Sequence, residues 1–356
     1  MKKILLYERS VDGHRKKYIE NLLLINGFEF FLCAPEQIGV DSLHYLRIKD
    51  SVNSKSICFY CSEIAKLAEF VKTNDIQCVH FLDGDSIMRF FGIGFSLFKK
   101  RQIIITFHNY YEGKLRKLSY KRMISSNNRK LVVHSDYIKK RMAEIGLVDV
   151  SVCEYPAFDF EKFQRISVQK AKAYWKIPED IPIIGIVGGI ASYKGILQFL
   201  EVMNGCRVPF HILMCGMPYD ITEEELLNAC KNYKNKVTLH LEYLNEYQYQ
   251  LAIAASDIIY CIYMNDFLGA SGPAIDGVCM RKMIICNEFG SVGDMTRNND
   301  LGYLIHTKNY SDMLMDIVKA INSYPTFNYG DRANKYRNTL NPEYFRNKYS
   351  QIYKSV

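Results

Sequence analysis

Residues 185–200, GIVGGIASYKGILQFL, pass from apolar β-formers through clustered glycines into a helix-like run, with one lysine, Lys194, at the turn. Glycines such as Gly188, Gly189 and Gly195 let backbone N–H groups come close to a ligand, and the helix that follows offers the positive end of its dipole. A phosphate suits both, and Lys194 adds a full positive charge at the same point. The segment therefore reads as a diphosphate site. Its spacing is neither G-x-G-x-x-G nor G-x-x-x-x-G-K-[ST], so neither a nicotinamide or flavin fingerprint nor a P-loop is supported.

Other residues of reactive type read as structure. DGD at Asp83–Asp85 is a polar turn or an acceptor contact rather than a metal site, and the one C-x-x-C, Cys58 and Cys61, has no second pair at zinc spacing. His14, His80 and His134 lie near strand ends, where histidines pack and hydrogen-bond. No metal and no cofactor are expected.

The elements that must position Lys194 follow from the alternation of short apolar runs with longer amphipathic ones. KILLYE, FEFFLCA, IQCVHFL, RQIIITFHN and KLVVHS alternate with helix-like stretches; after VSVCEYPAF the pattern restarts at PIIGIVGG and runs through PFHILMCG, KVTLHLEYL, SDIIYCIYM and KMIICNE into a helix-rich end. Strand–helix–strand alternation implies parallel sheets covered on both faces. The fold class expected is α/β, two Rossmann-like domains facing across a cleft: residues 1–165, and residues 166–356 with room for the last helix to pack back on the first domain. A length of 356 residues agrees with two domains. Ligands in such sheets sit beyond the carboxyl ends of the strands, so function should gather in strand-to-helix loops.

Composition narrows the setting. Apolar residues make up 48% and charged ones 24%, as in a folded soluble protein. Eleven cysteines, several of them in apolar runs, fit a reducing cytoplasm. MKKILLYERS reads as a first buried strand rather than a signal peptide, and SIMRFFGIGFSLF is too short to span a bilayer and contains Arg89.

A family becomes visible at this point. GGIASYKG resembles the G-R-L-x-x-x-K-G segment of the group 1 (family 4-like) glycosyltransferases, which have the GT-B arrangement and transfer sugar from a nucleotide-sugar. HILMCG, LAIAASDIIYCIYMND (with Asp257) and SGPAIDGVCMRKMIICNEFGSVGDM resemble further family segments in the correct order, as do DIQCVHFL, ITFHN and KLVVHSDYIKKRM in the first half. The resemblance implies that Lys194 contacts the donor diphosphate, with the amides of Ser271 and Gly272 on the same phosphates. Asp276 takes the place of the family's ribose-binding glutamate. Gly13 falls in the loop that approaches donor and acceptor, and His108 matches the histidine near the donor sugar. His108 and Asp276 are the expected catalytic residues.

Two positions depart from the family pattern: its arginine is Gly189 here, and its first glutamate is Leu268. Asp266 and Arg281 are the candidate replacements. The implied activity is retaining, metal-independent transfer of a sugar to a saccharide or lipid-linked saccharide, in surface polysaccharide biosynthesis. A GT-B sugar epimerase and a catalytically silent relative that binds nucleotide-sugar are the alternatives.

Charge points to where the acceptor binds. Residues 1–165 hold 27 Lys+Arg against 19 Asp+Glu, the whole excess of the chain, and KLRKLSYKRMISSNNRK holds seven of those cations, including Lys114, Arg116, Lys117, Lys121 and Arg122. With Leu115, Leu118, Tyr120 and Met123 between them, these residues are expected to dock the first domain on an anionic inner membrane face. No nucleic-acid partner is expected.

Overall fold

The computed structural model describes residues 1–11, 13–39, 43–51, 53–231, 236–264 and 267–356. They form two compact units, Met1–Phe158 with Pro342–Val356, and Asp159–Asn341.

The first unit holds seven parallel strands: β1 (Lys2–Tyr7), β2 (Phe28–Ala34), β3 (His44–Arg47), β4 (Cys78–Phe81), β5 (Gln102–Phe107), β6 (Arg129–Val133) and β7 (Val150–Val152). Their spatial order is β3-β2-β1-β4-β5-β6-β7. Strands covered on both faces need unbroken apolar runs, and Ile4, Leu5 and Leu6 of β1 are fully buried between β2 and β4, with Ile4 opposite Phe30 and Cys78.

The helix Pro342–Lys354 completes this core although it follows the second unit in the chain. It inserts Phe345, Tyr349 and Tyr353, all with no exposed surface. The Tyr349 hydroxyl meets Tyr18 Oη at 2.5 Å and Thr106 Oγ1 at 3.0 Å, and His80 bridges Tyr353 Oη and Thr106 Oγ1 at 2.8 Å each. Burial depresses the His80 imidazole to about 3 and keeps it neutral. It is a structural residue.

The second unit repeats the design with β8 (Ile183–Val187), β9 (His211–Cys215), β10 (Val237–His240), β11 (Ile258–Cys261), β12 (Met283–Asn287) and β13 (Gly302–Ile305), in the order β10-β9-β8-β11-β12-β13 and all parallel. In both sheets the winding reverses beside the first strand, between β1 and β4 and between β8 and β11. The loops leaving these strands diverge there and open a crevice at their carboxyl ends. At the opposite edge, Asp257 fastens the second sheet. Its carboxylate accepts from Lys172 Nζ at 2.9 Å, the Ile183 amide at 3.0 Å and the Tyr324 hydroxyl at 2.8 Å, so this buried charge is paired and hydrogen-bonded.

Candidate active site

The loop that leaves β8 begins at Gly188, which has φ +85°. It makes a tight turn over Ser192–Lys194 and enters the helix Ile196–Met203 through Gly195, in the left-handed region at φ +60°. Asp220 holds the turn by accepting from the Ser192 amide at 2.8 Å and the Ser192 hydroxyl at 2.5 Å. From below, the Tyr260 hydroxyl donates to the Lys194 carbonyl at 2.7 Å. The lysine is thereby fixed with its side chain turned inward, 7% exposed.

Its ammonium has little to satisfy it there. Nζ reaches the Val187 carbonyl at 3.5 Å, the outer limit of a hydrogen bond, and among the described residues no carboxylate pairs with it. Desolvation pushes its pKa down to about 8, partly offset by the neighbouring Cys261. A buried cation held by a stiff loop with almost no protein partner is unfavourable by itself, and such groups mark binding sites.

Across the crevice, β11 leads to the helix Gly272–Cys279. Ser271 caps it, its Oγ accepting from the Ala274 amide at 3.3 Å and lying 2.5 Å from Tyr263 Oη. Cys261 connects the two sides: it adjoins Lys194 electrostatically, and its Sγ lies 3.8 Å from Ser271 Oγ. One turn into the helix, Asp276 is 8% exposed and accepts from the Tyr249 hydroxyl at 2.8 Å. Lys194 and the helix start at Ser271 and Gly272 therefore stand in the loops that leave two neighbouring strands, β8 and β11, while Asp276 lies one turn further along the same helix.

The substitute residues fare differently. The geometry does not bring Arg281 to Lys194. It follows the end of the eight-residue helix Gly272–Cys279, some 12 Å of helix away from Ser271, and its Nε donates to Asn334 Oδ1 at 3.3 Å. As a replacement cation Arg281 is excluded by its place at the wrong end of that helix. Asp266 lies outside the described residues. Leu268 is buried, and its carbonyl accepts from the amide and hydroxyl of Ser291 at 3.1 and 2.6 Å, fixing the start of the helix Gly290–Asn299. At Gly189 a Cβ would stand 2.3 Å from the Tyr219 ring, which covers the position that an arginine side chain would leave from.

In the first unit, Gly13 starts the helix His14–Leu23 with φ +55° and ψ −121°, which only glycine adopts readily, and no atom lies within 4 Å of where its Cβ would be. Beside the same reversal point is a network that sequence reading misses. Arg15 joins Glu8 at 2.8 Å and Asp83 at 2.6 Å, while Asp83 also accepts from the Ser86 amide at 3.1 Å. Burial, then the nearby Asp83, raise Glu8 to about 8. Asp85 holds the β5 loop by accepting from the His108 amide at 2.8 Å.

The His108 Nε2–H donates to the Leu82 carbonyl at 2.9 Å, leaving Nδ1 as the acceptor, and burial lowers its pKa. The ring lies 4.7 Å from that of His134, whose Nδ1 bonds the Cys153 carbonyl at 2.7 Å. Among the described residues no group of His, Cys, Asp and Glu is arranged to hold a metal.

The basic segment forms the helix Lys114–Met123. Lys114, Lys117, Lys121 and Arg122 are exposed with Leu115 and Leu118, whereas Arg116 is half-buried, its guanidinium 5.5 Å from the Tyr111 ring. Tyr120 and Met123, expected at the surface, are instead core residues. They occupy the inward i, i+3 face of the helix, where Tyr120 stacks on Tyr110 at 5.6 Å and meets Phe107 at 4.9 Å. The apolar part of the exposed face is Leu115 and Leu118. No helix among the described residues is long and apolar enough to cross a membrane.

No protein-family model and no curated protein matches the chain. Solved structures do. A glycosyltransferase from Rickettsia africae ESF-5 is 19% identical, with a TM-score of 0.75 over 99% of this chain and 98% of its own. HepE from Anabaena, in complex with UDP, is 10% identical, with a TM-score of 0.74 over 100% of both chains. WaaG, a glycosyltransferase involved in lipopolysaccharide biosynthesis, is 12% identical, with a TM-score of 0.69 over 99% of each chain. At these identities the likeness establishes the fold, and the chain has the two Rossmann-like domains of the GT-B glycosyltransferases.

Proposed function

We propose that the protein is a glycosyltransferase that moves a sugar from a nucleoside-diphosphate donor to a hydroxyl of a saccharide or lipid-linked saccharide. The observation that carries this reading is Lys194, a buried and almost unpartnered ammonium at the reversal point of the second sheet, beside a helix start. An anionic diphosphate is the ligand that such a group suits. In this reading Lys194 and the Gly272 amide receive the diphosphate, and Asp276 accepts from the ribose hydroxyls. The first domain, with Gly13 and His108 in its loops, receives the acceptor and the donor sugar.

The bond from the anomeric carbon to the diphosphate oxygen breaks as the acceptor oxygen bonds to the same face of that carbon. The acceptor proton passes to the departing diphosphate, whose growing charge is met by Lys194 without a metal. HepE, which binds UDP, and WaaG, which acts in lipopolysaccharide biosynthesis, support a UDP-sugar donor and a role in surface polysaccharide assembly. The exposed cations and leucines of Lys114–Met123 suit docking on the anionic inner face of the cell membrane, where a lipid-linked acceptor would be presented. The deciding measurement is calorimetric titration with UDP followed by an assay of UDP release from UDP-sugars with and without saccharide acceptors. Release that depends on acceptor is expected, and failure to bind any nucleoside diphosphate would refute the reading.

A further inference from the structure

A cavity of about 770 Å³ lies in the first unit, beside the loop that leaves β1 and at the carboxyl ends of β2 and the edge strand β3. Its size is that of a small-molecule site, and its place is on the ligand-binding edge of a parallel sheet. The helix Ile57–Thr73 forms one wall and contributes the half-buried Phe59 ring and Lys66. Arg47 and Lys49, from the end of β3, supply two more cations, and Glu36 and Asp50 supply carboxylates.

The charges in this cavity are not spent on one another. Among the described residues Arg47, Lys49 and Lys66 form no ion pair and no side-chain hydrogen bond. The other acid of the lining, Glu63, is turned inward: it is 5% exposed, hydrogen-bonded to Tyr7, accepts from Ser51 Oγ at 3.1 Å and faces the buried Arg9 Nε at 3.4 Å, so its charge is cancelled inside the protein. The Asp50 carboxylate accepts from the Ser10 hydroxyl at 3.0 Å. The cavity thus offers three cations, two carboxylates and an aromatic ring.

Cations in excess select an anionic group, carboxylates in reach accept hydroxyl protons, and a ring takes an apolar C–H face. One ligand class meets all three at once. We propose that this cavity is a subsite for an anionic saccharide, a sugar bearing a phosphate or a carboxylate. On the reading of the chain as a glycosyltransferase, it holds a sugar of the acceptor other than the one that receives the transferred residue.

The test is ligand-observed saturation-transfer NMR on the full chain with glucose 1-phosphate, glucuronic acid, inorganic phosphate and glucose, repeated on Arg47→Gln/Lys66→Gln and on Lys194→Met. The expected result is that glucose 1-phosphate or glucuronic acid binds more tightly than either glucose or phosphate. The double variant should weaken that binding about tenfold, the combined effect of two exposed charges, while Lys194→Met leaves it unchanged. The source of the charge is read from which anionic sugar binds. Equal binding of glucose, equal binding of inorganic phosphate, or an unaltered affinity in the double variant overturns the proposal, as does a loss confined to Lys194→Met, which would place the probe in the second unit. If UDP does not bind but the anionic sugar does and the double variant loses it, the transferase reading fails and the subsite stands.

Discussion

Replacing Lys194 with methionine should make the protein more stable and unable to hold its donor. Burial lowers the lysine from 10.5 to about 8, and at roughly 1.4 kcal/mol per pH unit this is a penalty on the order of 3 kcal/mol for keeping the ammonium buried in the free protein at neutral pH. Lys194→Met keeps the length of the side chain and removes the charge, so it should recover much of that penalty. A rise of roughly 5–10 °C in the melting temperature of the second unit is expected.

The sign with pH provides an internal control. The folded-state pKa lies below the unfolded value, so between about pH 8 and 10.5 the unfolded chain binds more protons, and stability rises with pH across that window. Below about pH 8 the full penalty is present. Differential scanning fluorimetry across this range should show the rise in the parent and a flatter profile in Lys194→Met, while calorimetry shows the variant's UDP affinity lowered at least tenfold, the loss of a charge-assisted hydrogen bond. A variant that melts lower than the parent at pH 7, or binds UDP equally well, would refute the reasoning.

The same pKa predicts that UDP affinity falls about tenfold for each unit of pH above about 8, because a diphosphate needs the charged lysine; an unchanged affinity from pH 7 to 9.5, by calorimetry, would separate Lys194 from the donor. Asp276→Asn should raise the Michaelis constant for donor more than for acceptor with the melting temperature nearly unchanged, and a variant that fails to fold would make the Tyr249–Asp276 bond structural instead. Gly189→Arg should be tolerated, since the Tyr219 ring it displaces is 73% exposed, and should tighten UDP binding about tenfold by adding a guanidinium at the diphosphate. In liposome flotation the protein should rise with anionic vesicles at low salt and release at high salt. Charge reversal at Lys114, Lys117, Lys121 and Arg122, or serine at Leu115 and Leu118, should abolish flotation, and equal behaviour on neutral vesicles would count against docking.

What could be read from the sequence follows the physics of each segment. The central strands announce themselves because burial on both faces demands unbroken apolar runs, and the β8 loop does so because glycine, lysine and helix start are contiguous. β3 and β13 escape notice for the opposite reason. HYLR and GYLI are four-residue edge strands whose side chains are half-exposed or exposed apart from Ile305, so no run marks them.

Side-chain destinations are harder to read than elements. Tyr120 and Met123 alternate with cations in the sequence, and only helical periodicity turns them into the core. Arg281 lies five residues from Asp276 in the chain, yet a helix carries it to the far edge of the sheet. Asp257, part of a family-like segment, proves to be a fastening for Lys172 and Tyr324. The Glu8–Arg15–Asp83 network joins residues far apart in the chain, and no local pattern encodes such pairings. The cavity between β2, β3 and the helix Ile57–Thr73 likewise draws its lining from three separate segments.

The helix Pro342–Lys354 has a consequence for how the chain is made. The first 158 residues leave the ribosome well before the residues that fill their core, so Tyr18, His80 and Thr106 must wait without Tyr349 and Tyr353 while all of Asp159–Asn341 is synthesised. The second unit is continuous and can close as soon as it has emerged. All residues of the later unit are therefore made before the last of the earlier one's, and until the helix Pro342–Lys354 emerges the N-terminal half lacks the side chains that fill its core beside Tyr18 and His80.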